Sequence, residues 1–100
     1  MITHIVMWKF KDQAEGASKA QNLARAKALL AACAQLAPGT LRFEVALAEP
    51  GMECTYDLVL YSVFADRAAL DAYQNHPQHQ ALKPFIAAAR LERQCMDYES

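Results

Sequence analysis

This sequence predicts an α+β sandwich in which one antiparallel sheet carries its helices on a single face. Three observations predict it. The apolar pattern changes period along the chain in the order β, α, β, β, α, β. The 100 residues, 54% hydrophobic and 21% charged, suffice for one core and leave no room for a second domain. Only two helical segments are available, and right-handed crossovers put both on the same side of a sheet.

The first element, residues 2–11 (ITHIVMWKFK), is β-branched and aromatic and reads as a strand. Ile2, His4, Val6, Trp8 and Phe10 share one face, while Ile5 and Met7 share the other. From about Glu15 to Ala37 the chain turns to alanine, leucine and lysine, with Leu23, Leu30, Cys33 and Ala37 at helical spacing. That pattern predicts one long amphipathic helix stopped by Pro38-Gly39. Residues 40–48 alternate, with Leu41, Phe43, Val45 and Leu47 opposite Arg42 and Glu44, and predict a half-buried strand ending at Pro50-Gly51. The run 55–64 (TYDLVLYSVF) is apolar on both faces, as a central strand is.

Asp66 then reads as the N-cap of a helix whose apolar stripe is Ala69, Leu70 and Tyr73, broken at Asn75-His76-Pro77. A short helical turn is expected over 78–82, and Pro84 as the first residue of another helix reaching Ala89. Residues 91–99 alternate weakly and fit an edge strand. The order matches the split βαβ pattern of a ferredoxin-like sandwich, β-α-β-β-α-β. Both central strands are apolar on the face the helices leave uncovered. A homodimer formed by sheet-to-sheet packing is therefore expected.

Composition excludes several partner classes. Ten basic residues against eleven acidic ones, with no block of like charge, give no electrostatic footprint for nucleic acid or an anionic membrane. The N-terminal apolar stretch is too short to span a bilayer and has no basic leader, so a cytoplasmic protein is expected. Cys33, Cys54 and Cys95 lie far apart without CxxC spacing, which predicts reduced thiols used as small core residues.

Chemistry is concentrated in the histidines, the only side chains that titrate near neutrality without perturbation. His76 and His79 flank Pro77, and the fold would carry His79 and Tyr73 above His4 in an apolar cavity lined by Val6, Trp8, Leu58 or Val59, and Phe85. A neutral imidazole there could take a proton from a carbon acid while the Tyr73 phenol donates to the carbonyl oxygen, with no cofactor required. The alternative is that His76 or His79 closes the helix break and Tyr73 is a core residue. Metal binding by His76, His79 and His4 lacks a fourth ligand at suitable spacing and is not expected. Asp57 is expected to pair with Arg42 or Lys9 or to sit at a strand end near water, Trp8 to belong more to the core than to a ligand platform, and Asp97-Tyr98 to be available to a subunit interface.

Several segments resemble the stress-responsive A/B barrel (Dabb) family. They are Thr3-His4-Ile5-Val6-Met7-Trp8-Lys9-Phe10-Lys11, Tyr56-Asp57-Leu58-Val59-Leu60, the run from Ala69 to His79 with its Tyr-x-x-His-Pro-x-His core, and Asp97-Tyr98. The resemblance implies a subunit that dimerises through its sheets into an α+β barrel. The family's best understood enzymatic relative, a plant polyketide cyclase, works by aldol condensation without metal or cofactor; by motif its proton-transferring pair corresponds to His79 and Tyr73, and its first-strand histidine to His4. The reading implied is a homodimer binding a small apolar or aromatic molecule. Its alternatives are a non-enzymatic, stress-protective dimer and a cofactor-independent monooxygenase.

Overall fold

The computed structural model describes residues 1–100. Strand β1 (Ile2–Phe10) leads through a two-residue hairpin, β2 (Gln13–Ala14) and β3 (Ala17–Ser18), into helix α1 (Lys19–Ala31). Strands β4 (Thr40–Leu47) and β5 (Leu58–Phe64) follow, then helices α2 (Arg67–Asn75) and α3 (Pro77–Ala89), and finally strand β6 (Arg90–Glu99). The main sheet has the order β4-β5-β1-β6 with every pairing antiparallel. This is the predicted ferredoxin-like arrangement, with β1 and β5 central and β6 at an edge.

Register decides which residues meet. His4 sits between Ser62 of β5 and Asp97 of β6, and Trp8 between Leu58 and Arg93. Because directly paired residues share a face, Ile2, His4, Val6, Trp8 and Phe10 join Leu58, Leu60, Ser62 and Phe64 under the helices. All nine are buried. The opposite face carries Ile5, Met7, Val59, Tyr61 and Val63, all only half-buried, with exposed Met96 and Tyr98 beside them on β6.

Three helical expectations need correction. The long helix expected from Glu15 to Ala37 is shorter at both ends. Glu15 and Gly16 take positive φ (52° and 73°) to turn the β2–β3 hairpin, and Ser18 starts α1 with a capping box to Gln21. After Ala31 the chain continues to Ala37 in turns. There Gly39, at φ 89°, brings its backbone against the Ala69 side chain at the start of α2. The expected division between 78–82 and a helix begun by Pro84 is also replaced, by one continuous α3 in which Pro77 is the N1 residue and Pro84 is internal. Pro84 removes the donor to the Gln80 carbonyl. Both residues are exposed, so water can satisfy that oxygen.

Asp57 pairs with neither Arg42 nor Lys9 but takes the other expected place, at a strand end: it directly precedes β5 and is half-buried. Its carboxylate accepts from the Phe10 backbone N–H (2.9 Å) and lies 3.7 Å from Lys19 Nζ. Leu41 is 56% exposed rather than on the buried face of β4, because the β4–β5 register slips between Thr40 and Arg42. Of the cysteines only Cys33 is a core thiol; Cys54 and Cys95 are exposed. No helix is long and apolar enough to cross a membrane.

Candidate active site

A cavity of about 400 Å³ opens between α3 and the β1–β6 edge of the sheet. Val6, Trp8 and Leu60 form its sheet wall, and Leu30 of α1 with Leu82 and Ile86 of α3 close it from the helical side. His4, Gln74, His79, Lys83, Arg90 and Arg93 supply its polar groups. The expected Leu58 or Val59 is replaced in the wall by Leu60, which lies beside Val6, while Val59 faces the other side of the sheet. Phe85 is not a wall residue. It is half-buried, with the Arg25 guanidinium 4.1 Å from its ring centre.

His4 is held from both neighbouring strands. Ser62 Oγ donates to its carbonyl oxygen (2.9 Å), and its ring Nδ1 donates to the Asp97 carboxylate at 2.5 Å. A carboxylate acceptor at Nδ1 fixes the tautomer and leaves Nε2 as the nitrogen free to react.

The helix break arranges the second imidazole. Asn75 precedes His76-Pro77, and His76 adopts an extended conformation that ends α2. His76 Nδ1 accepts from the Gln78 backbone N–H (3.1 Å), so this histidine caps α3 and stands apart from the cavity. Gln74, in the last turn of α2, has its carbonyl free for side chains. His79 Nδ1 donates to it at 3.0 Å, and Gln80 Nε2 at 2.8 Å. His79 Nε2 is again the free nitrogen. Burial pushes the His79 pKa down, the Gln74 carbonyl partly opposes this, and the neighbouring Lys83, His4 and Arg93 add to the lowering. The ring is therefore a neutral base at pH 7.

Tyr73 joins the two imidazoles without entering the cavity wall. Its ring centre lies 4.5 Å from that of His79 and 6.3 Å from that of His4, and it packs on Phe43 and Phe64. The side chain is fully buried and its hydroxyl has no hydrogen-bond partner. Burial, with a smaller contribution from nearby Cys33, pushes the phenol pKa far above its usual value, so it stays protonated. Thus the structure brings His4, Tyr73 and His79 together as expected. No three His, Cys, Asp or Glu side chains converge to hold a metal ion.

Asp97 as the partner of His4, and Gln74, Lys83, Arg90 and Arg93 as cavity residues, were not expected from the sequence. A helical stripe was the available signal for Lys83 and Arg90: His79, Leu82, Lys83, Ile86, Ala87 and Arg90 recur at i, i+3, i+4, i+7, i+8 and i+11. Treating Pro84 as a helix start cuts that stripe in two and brings Phe85 into the wall instead.

The sequence profile of the Stress responsive A/B Barrel Domain (Dabb) family matches residues 2–100. The chain belongs to the Dabb family. Among solved structures, a dimeric ferredoxin-like protein of unknown function from Bacteroides fragilis NCTC 9343 is 29% identical, with 99% of this chain and 95% of that one covered and a TM-score of 0.80. A Dabb family protein from Mesorhizobium loti is 26% identical over 99% of this chain and 95% of that one, with a TM-score of 0.68. A putative antibiotic biosynthesis monooxygenase from Nitrosomonas europaea, 19% identical over 100% of this chain and 98% of its own, shares the fold with a TM-score of 0.74. A search of curated proteins finds no match.

Proposed function

We propose that this Dabb protein is a homodimer, each subunit of which binds a small apolar or aromatic molecule and moves protons on it with no cofactor. The observation that carries the reading is the pair of imidazoles at one apolar cavity, each with Nδ1 engaged by an acceptor and Nε2 free. His79, kept neutral by burial, is the base that removes a proton from carbon next to a carbonyl. The resulting negative charge moves onto the carbonyl oxygen, within the field of the cationic side chains of the rim. His4, oriented by Asp97, is the second proton-transfer group. Tyr73 is a positioning residue: its ring backs His79, and its hydroxyl is buried outside the cavity wall.

Support for the dimer comes from the uncovered sheet face, where Ile5, Met7, Val59, Tyr61 and Val63 form an apolar surface in the middle of the molecule. A second copy presenting the same face covers it by two-fold symmetry, and the B. fragilis neighbour is dimeric. Light scattering at micromolar concentration is expected to give twice the chain mass; a clean monomer overturns this part.

Catalysis is tested by screening carbonyl compounds with acidic C–H bonds for proton exchange or ring closure, then repeating the reactive case with His79→Ala. The variant should keep its fold and lose activity by about 10²–10⁴-fold; undiminished turnover ends the proposal. Oxygen uptake with a phenolic panel distinguishes monooxygenase chemistry, and a folded dimer inert in both screens supports a non-enzymatic role.

A further inference from the structure

Six of the ten lysine and arginine side chains have an evident partner. Lys9, Lys19, Arg42 and Arg67 pair with carboxylates, Lys11 donates to the Ala88 carbonyl, and Arg25 lies over Phe85. The remaining four are Lys27, Lys83, Arg90 and Arg93, and three of these four stand around one cavity. They reach it from separate elements: Lys83 from mid-α3, Arg90 from the C-cap of α3, and Arg93 from β6, where it lies opposite Trp8. No lining residue is acidic. Two acids on β6, Asp97 and Glu92, are paired with His4 and Lys9 respectively.

Three uncompensated cations beside an apolar cavity form a poor arrangement for a neutral ligand and a good one for an anion. Lys83 and Arg93 are exposed and Arg90 is half-buried, so their positive potential is centred on the cavity mouth, where it favours a negative group. Guanidinium groups also present paired N–H donors that fit the two oxygens of a carboxylate. The apolar walls at Val6, Trp8 and Leu60 require the rest of the ligand to be hydrophobic.

Building on the proposed ligand pocket, we infer that its substrate is a hydrophobic carboxylate, a ring or chain buried against Trp8 with its carboxylate held by Lys83, Arg90 and Arg93. Two of these cations, Lys83 and Arg93, add to the effect of burial in disfavouring protonated His79. A bound carboxylate screens them and so raises the proton affinity of the imidazole.

The test compares 2-naphthoate with its uncharged, nearly isosteric 2-naphthamide by calorimetry on the intact dimer, with His79 followed by NMR titration. We expect 2-naphthoate to bind at least ten-fold more tightly, by an electrostatic margin that shrinks as salt is raised. It should also shift the His79 titration upward, which the amide should not do. Lys83→Gln/Arg93→Gln, which leaves Arg90 in place, should cut the preference several-fold while leaving amide affinity unchanged. Neither residue is ion-paired, so thermal unfolding should confirm an intact fold; Arg93→Gln alone provides a milder check. Equal binding of both probes, or a preference undiminished in the double variant, overturns the carboxylate assignment and leaves the pocket standing. Failure of both probes to bind overturns the pocket reading together with it.

Discussion

The two faces of the main sheet are built from the same strands and do opposite work. On the helix side, Phe10 and Phe64 are fully buried, and the polar exceptions His4 and Ser62 have hydrogen-bond partners. On the other side, Ile5, Met7 and Val59 remain half-buried with no element of the chain above them. The difference follows from topology: both right-handed crossovers deliver their helices to one face. One face therefore holds the fold and the cavity, and the other is left for association. Substitutions on the two faces should fail in different ways.

The largest effect is expected from Phe10→Ala on the closed face. Removing a fully buried aromatic ring should cost about 3–5 kcal/mol, with each kcal/mol lowering the thermal midpoint by about 4–8 °C in a domain of this size. Calorimetry checks this. Val59→Asp, one residue along β5 from buried Leu58 and Leu60, should leave circular dichroism unchanged while weakening self-association by about 2 kcal/mol or more, close to thirty-fold in dimer dissociation. Sedimentation across a dilution series measures it. If Val59→Asp unfolds the chain without dissociating a dimer, the division of labour between the faces is wrong.

Smaller effects sharpen the comparison within the closed face. His79 has a folded-state pKa below its unfolded value near 6.5, chiefly through burial. Between those two values the unfolded state binds more protons, so this histidine's contribution is complete above about pH 6.5 and is lost as pH falls toward the folded pKa. Replacing His79 with Gln should flatten that part of the stability profile, as read by chemical unfolding at pH 5 and pH 7.5. The smallest change is expected from Tyr73→Phe, which removes a buried hydroxyl that has no partner. Stability should be unchanged or rise by about 1 kcal/mol, and activity should persist if the ring only positions His79. A loss of turnover comparable to that of His79→Ala would instead make Tyr73 the proton donor.

Much of the fold was legible because strands advertise themselves by alternation. The two-faced apolar runs at 2–11 and 55–64 marked the central pair, and the weak run at 91–99 marked an edge. Where helices begin and end was less legible. Ser18 and Gln21 carry a capping-box pattern that bounds α1, yet alanine-rich sequence on both sides extends the helical periodicity past the true ends. Pro84 resembles a helix start equally well, and only its exposed position permits it inside α3. Recognition of the site was uneven for the same reason. His4, Tyr73 and His79 belong to local motifs, whereas Asp97 becomes the partner of His4 through a pairing 93 residues apart in sequence.

Taken alone, the sequence determined the order and type of the main strands, the helix break at His76-Pro77 and the face on which His4 sits, because these depend on periodicity and backbone sterics among near neighbours. Tertiary structure alone decided that Asp57 serves the Phe10 backbone and Lys19, that Tyr73 has an unpartnered hydroxyl, and that Lys83, Arg90 and Arg93 surround one cavity. Those outcomes depend on strand register and helix packing, which join residues across the whole chain and have no signature within any local window.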